Sequence, residues 1–154
     1  MSRIVIVALV LGVGFAAAGV PAAAGEPTAA KLVTITDKAI TLRDPIFFET
    51  GKPNIKQESF AELDALAAAL AADKKITLVE IGVHTDERGS LEFNARISQD
   101  RADAILKYLI DHKVDPKRLR AKGYGESKPL DKAHNEQAWA KNRRTEFTVL
   151  QRTS

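Results

Sequence analysis

Apolar and polar residues recur along this chain with two different periods, and each change of period marks an element. Residues 31–35 and 39–42 alternate as short strands do, and Pro45 followed by Ile46, Phe47 and Phe48 predicts a further strand entered from a turn. Over 57–72 the spacing is helical: Phe60, Leu63, Leu66, Ala67 and Leu70 share one face, with Glu58 and Ser59 near the start. Ile76, Leu78, Ile81 and Val83 lie in a largely apolar run, which predicts a strand covered on at least one face. A second helix is predicted over about 91–111, turning Ile97, Ala102, Ile105, Leu106 and Leu109 inward. Pro116 resets the chain and 119–124 reads as a strand; a loop bearing Gly, Pro and Asp follows, with room for one short helix, and 145–150 closes as a strand. The alternation predicts an α/β fold, an α+β sandwich of order βαβαβ(α)β. It should have a mixed sheet, right-handed crossovers and helices packed on one face.

The first residues follow neither period. After Arg3 an uncharged run covers 4–20, then come Pro21 and the small residues Ala22, Ala23 and Ala24 before Gly25 and Glu26. This is the pattern of a secretory signal cleaved after Ala24, leaving 25–30 as a short tether and 31–151 as the domain. A retained anchor is the alternative, since the run approaches the ~17 residues that just span a bilayer. The alanine-rich exit favours the peptidase, and on either reading the domain is exported.

Composition narrows the chemistry. A chain of 154 residues with 45% hydrophobic and 28% charged content has enough apolar material for one domain with its own core. The absence of Cys excludes disulfides, thiolate metal sites and a lipid-modified N-terminal Cys. The net charge of +3 comes from basic residues mixed with acidic ones along the chain, which argues against nucleic acid as a partner. His84 stands beside Asp86 and Glu87, but adjacent loop residues do not converge on an ion, and His112 and His134 have no ligand spacing to it, so neither a metal nor a cofactor is expected. Trp139 has two readings, packing at the domain surface or stacking on a sugar.

The densest polar chemistry lies in 84–101, HTDERGSLEFNARISQDR. Asp86 follows the predicted strand end, and Asn94, Ser98 and Arg101 follow at spacings of four and three, on one stripe of the predicted helix. Taken singly, Asp86 reads as a cap or turn residue and Arg101 as a solvated charge. The stripe borders Ile97, Ala102 and Ile105, however, which places Arg101 at the margin of the core, where a charge has a partner. A carboxylate that accepts from an ammonium, with a guanidinium that grips a carboxylate through two parallel hydrogen bonds, would select a zwitterion. Hydrolysis by Asp86 or Glu87 is disfavoured, because Arg88 and Arg101 would hold both acids ionised.

The series Ile46-Phe47-Phe48-Glu49-Thr50-Gly51, His84-Thr85-Asp86-Glu87-Arg88-Gly89, Asn94, Ile97-Ser98, Arg101-Ala102, Gly123-Tyr124-Gly125-Glu126, Pro129 and Asn142-Arg143-Arg144 resembles the OmpA-like peptidoglycan-binding domain family in order and spacing. HTDERG with Phe93 before Asn94 is most similar to its peptidoglycan-associated lipoprotein branch. The resemblance implies a noncatalytic periplasmic domain that holds the peptide stem of peptidoglycan at diaminopimelate. It implies that Asp86 meets the diaminopimelate ammonium, Arg101 its carboxylate, Asn94 a further polar group, and Arg143 the ligand at the pocket rim. Thr50 and Gly51 would line the same pocket, and Thr85 and Ser98 would either support it or act as local turn and helix hydroxyls. Relatives often carry Asn where Gly51 stands, so that side-chain contact is missing here.

The anchors of the family, an acylated Cys or a β-barrel, are not in this sequence. The expectation is therefore a periplasmic module associated with the outer membrane only through a partner. Besides peptidoglycan, the candidate partners are outer-membrane or other envelope proteins and a second copy in a homodimer. The competing readings are an interaction or scaffold module with a vestigial wall pocket and, more weakly, a hydrolase.

Overall fold

The computed structural model describes residues 32–154. The expected signal segment 1–24, the tether 25–30 and Lys31 lie outside the described residues. The elements are β1 (Val33–Ile35), β2 (Ala39–Leu42), α1 (Phe60–Ala72), β3 (Ile76–His84), α2 (Leu91–Asp111), β4 (Leu119–Gly125), α3 (Glu136–Asn142) and β5 (Arg144–Arg152). All five strands join one sheet in the order β1-β2-β5-β3-β4. Only β3 and β4, linked through α2, run parallel; β5 enters between β2 and β3, antiparallel to both. The mixed α/β architecture is the one expected from the alternation of periods.

The core follows from the apolar faces. Leu63, Leu66 and Leu70 of α1, with Ala102, Ile105 and Leu109 of α2, pack on Val79, Ile81 and Val83 of β3 and Phe147 of β5. Because strand side chains alternate, Glu80 and His84 belong to the opposite face of the sheet, where the Tyr124 hydroxyl donates to Glu80 at 2.6 Å. Ser90 starts α2 by accepting from the Phe93 N–H at 3.1 Å, and Glu92 adds negative charge to its first turn, where the helix dipole favours it.

Helix α2 lies unusually close to β4. A Cβ on Gly123 would overlap the backbone of Gln99, so only glycine fits there. The Gln99 Oε1 accepts from the Gly123 N–H at 2.8 Å and the Ser98 Oγ from the Gly125 N–H at 2.9 Å. Side chains of α2 thus take two donors of a strand at the edge of the sheet.

One expected strand is not formed. The stretch from Pro45 to Phe48 contributes a single bridge, Phe48 with Ile55. The segment folds back on itself, with the Lys56 N–H donating to the Phe47 carbonyl at 2.9 Å and the Glu49 N–H to the Asn54 carbonyl at 2.9 Å. Ile46 is buried and Phe48 partly so, which explains the strand-like apolar run, but the Phe47 N–H is spent on the Ser59 hydroxyl at 2.7 Å. Gly51, at φ +67°, turns this small loop. Glycine adopts that left-handed conformation without steric cost.

Candidate functional site

Four of the expected site residues meet around one cleft of about 550 Å³ at the end of the sheet. Thr50 and Gly51 come from the self-paired loop, Arg101 from the second half of α2, and Arg143 from the junction of α3 and β5; Phe48 and Ala140 supply apolar wall. Arg101 reaches across to the loop, its Nε donating to the Lys52 carbonyl at 3.1 Å and Nη2 to the Glu49 carbonyl at 3.4 Å. Its guanidinium lies 4.9 Å from the centre of the Phe48 ring. Burial lowers its pKa, yet an arginine so placed stays charged. Its hydrogen-bond partners among the described residues are neutral carbonyls, so its charge is solvated by dipoles and is ready for an anion.

Asp86 is nearly buried and touches the cleft through Arg143, whose Nη1 donates to Asp86 Oδ2 at 2.8 Å while Nη2 donates to Glu136 at 2.7 Å. The bond to Asp86, then that to Glu136, raises the pKa of Arg143. Burial pushes the Asp86 carboxyl up, but hydrogen bonds from the side chains of Arg88 and Arg143 and from the Arg88 N–H overcome it and hold the group at about 2. Asp86 is therefore kept ionised by Arg88 and Arg143, where the sequence had suggested Arg88 and Arg101.

The rest of the polar stripe is directed into the protein. Asn94 is buried, and its Nδ2 donates to Glu126 at 2.6 Å and to the carbonyls of Asp86 and Arg88 at 3.2 and 3.3 Å, which fixes the loop that presents Asp86. Ser98 is buried against β4 as described above, and also donates to the Ala95 carbonyl. Thr85 is buried, its N–H bonded to the Gly125 carbonyl at 2.9 Å and its hydroxyl without a partner among the described residues. None of Asp86, Asn94, Ser98 and Thr85 lines the cleft, and Asp86 reaches its wall only by its bond to Arg143.

The short helix α3, for which the sequence left room, brings contacts that the sequence pattern did not predict. Glu136 bridges Arg88 and Arg143, and the Trp139 Nε1 donates to Glu87 at 2.9 Å while Arg88 stacks on the indole ring at 4.5 Å. His134 adds a second contact to Glu87 at 2.6 Å, and first that bond, then the one from Trp139, lowers the Glu87 pKa. Trp139 is partly buried and packs at the domain surface, the first of its two readings, against the loop that carries Asp86. The helix holds through Asn135, which accepts from the Ala138 N–H at 2.9 Å, and through Asn142, which accepts from the N–H groups of Leu130 and Asp131. His84, near the cleft, is buried and stacks on Tyr124 with 4.8 Å between ring centres; burial, then Arg144, lowers its pKa.

A mixed sheet packed against α1 and α2, with a cleft walled by a loop, a helix and the side chains of Arg101, Arg143 and Arg144, makes this a small α/β domain with a basic cleft. Residues 47–143 match the model of the OmpA family, and the chain belongs to that family. It is 37% identical over 101 residues to the peptidoglycan-associated lipoprotein of Pseudomonas aeruginosa, covering 66% of this chain and 59% of that protein. With the peptidoglycan-associated lipoprotein of Rhizobium meliloti it shares 34% identity over 134 residues, covering 87% and 73%. The chain thus spans about three-fifths of the length of the Pseudomonas relative. The solved peptidoglycan-associated lipoprotein of Burkholderia pseudomallei superposes with a TM-score of 0.61 at 28% identity, covering 69% of this chain and 89% of that one. An outer membrane protein of Borrelia burgdorferi superposes at 0.58 with 32% identity, covering 80% and 99%. The family expected from the motif series is the family found.

Proposed function

We propose that the domain binds peptidoglycan without catalysis, gripping the diaminopimelate residue of its peptide stem, and supports the integrity of the cell envelope from the periplasm. The observation that carries this reading is Arg101, a charged guanidinium that borders a cleft and whose hydrogen-bond partners among the described residues are backbone carbonyls. A ligand carboxylate would meet it as a forked pair, with Arg143 beside it and Thr50 and Gly51 as the facing wall. Asp86 is the acceptor for the ligand's ammonium, and Asn94, Thr85 and Ser98 keep its loop and helix in place. The names of the relatives agree with a wall-binding role. Asp86, held ionised near pH 2, is ill suited to act as a general acid at neutral pH, which favours binding over hydrolysis. Residues 1–24 would direct export, and association with the outer membrane would come through a partner protein of the envelope.

The test is a pulldown with two purified walls, one carrying diaminopimelate and one carrying lysine at the same stem position. Lysine lacks the side-chain carboxylate that Arg101 needs, so binding to it should be much weaker. Equal binding to both would sink the zwitterion model and favour a scaffold role; soluble fragments released from either wall would count against a binding-only domain.

A further inference from the structure

Asp86 carries the proposed ammonium contact, yet both of its oxygens are already taken. Oδ1 accepts from the Arg88 N–H at 2.9 Å and from Arg88 Nε at 3.2 Å; Oδ2 accepts from Arg88 Nη2 at 2.7 Å and from Arg143 Nη1 at 2.8 Å. The Arg88 side chain therefore lies across the carboxylate as a two-pronged fork. Of the side-chain donors it is the one with somewhere else to go. Its guanidinium is already 4.5 Å from the Trp139 ring, with Nη1 3.4 Å from Glu136, and the side chain is half exposed. Arg143 is tied to Glu136 by a shorter bond and forms part of the cleft wall.

We infer that Arg88 occupies the ammonium seat on Asp86 in the free domain and is exchanged for the ligand's ammonium on binding, retreating onto Trp139 and Glu136. The inference rests on the diaminopimelate reading. Its physical basis is that a buried carboxylate stripped of a cation is costly, whereas swapping one cation for another keeps its charge balanced throughout. The amine of the ligand then contributes only the difference between its own bond to Asp86 and the bond that Arg88 gives up. A ligand whose amine is blocked leaves Arg88 in place and undergoes no exchange. Arg88 thereby sets the affinity for the free amine and the margin by which the site tells free from blocked.

Isothermal titration with two probes tests this: the disaccharide tripeptide ending in diaminopimelate, and the same muropeptide with its free diaminopimelate amine acetylated. Arg88→Gln removes the competing cation but keeps the backbone N–H that bonds Asp86 Oδ1, and amide spectra check that the loop survives. Arg88→Gln should bind the free-amine probe about fivefold tighter than wild type, the order expected for releasing a partly exposed ion pair. The acetylated probe should be unaffected, and Arg88→Lys should return the free-amine affinity toward wild type. If the two probes respond alike to Arg88→Gln, or the free-amine probe binds no tighter, Arg88 is not a competitor and the inference falls. Arg101→Ala separates the two ideas. Wild-type affinity in that variant overturns the diaminopimelate reading and the exchange with it, whereas loss of binding there with no gain in Arg88→Gln overturns the exchange alone.

Discussion

Arg101 on α2 donates through Nε to the backbone carbonyl of Lys52 at 3.1 Å, joining groups 49 positions apart in sequence and leaving the guanidinium without a carboxylate partner among the described residues. Its removal should affect the ligand far more than the fold. Arg101→Ala is expected to lose about 2–5 kcal/mol of binding to diaminopimelate-type wall, as for truncating one partner of a buried charge pair. Arg101→Lys keeps the charge without the fork and should recover only part of it. Sedimentation with purified wall measures both, and wild-type binding by Arg101→Ala would remove the residue from the site.

Asp86 gives the domain an acid sensitivity of known sign. Its carboxyl titrates at about 2 in the folded state against a reference of 3.8, so the unfolded chain binds more protons between those values. The stabilisation is complete above about pH 4 and is lost as pH falls through 2, and the shift is worth about 2 kcal/mol. Urea titrations at pH 5 and pH 2.5 should show wild type losing more stability than Asp86→Asn. An identical loss in the two proteins would mean that the carboxylate is not held in this way.

Trp139→Phe keeps a ring under Arg88 but deletes the donor to Glu87. Amide exchange at Glu87 and Arg88 should quicken modestly in this variant and much more in Trp139→Ala, which removes the ring as well. If neither change reaches the loop, α3 does not clamp it.

Gly123→Ala should be among the most damaging small substitutions in the domain. The added methyl meets the backbone of Gln99, which cannot swing aside as a flexible side chain can, so α2 must lift from β4 at a cost of about 3 kcal/mol. Thermal denaturation reports it directly, and an unchanged midpoint would show that the helix has slack the structure does not suggest.

Helix α2 was legible because Ile97, Ala102, Ile105 and Leu109 keep a helical period and all are buried. Helix α3 was legible only as room for a short helix, without bounds, since seven residues with only Ala138 and Asn142 buried carry no readable period. The insertion of β5 between β2 and β3 is a matter of long-range pairing, which the alternation of one strand cannot encode. The stretch 45–48 misled because its apolar residues are buried by a loop closing on itself. At the site, Asp86 and Arg101 announced themselves by charge beside a core-facing stripe, but the guanidinium that reaches Asp86 from a distance is Arg143, 57 residues away. Arg88 was visible two positions from Asp86; that its side chain spans both carboxylate oxygens depends on the turn geometry and on Trp139 arriving from another element.

The capping of β4 by Gln99 and Ser98 bears on how the domain behaves in company. An edge strand with open N–H groups invites a strand from another molecule to add to it, the first step toward uncontrolled association. Here two of those groups, on Gly123 and Gly125, are already engaged by α2, and the opposite edge is β1, only three residues long. Among the described residues both margins are thus blunted, one by side chains of its own neighbouring helix and the other by its shortness, which lowers the tendency of copies to join through their sheets.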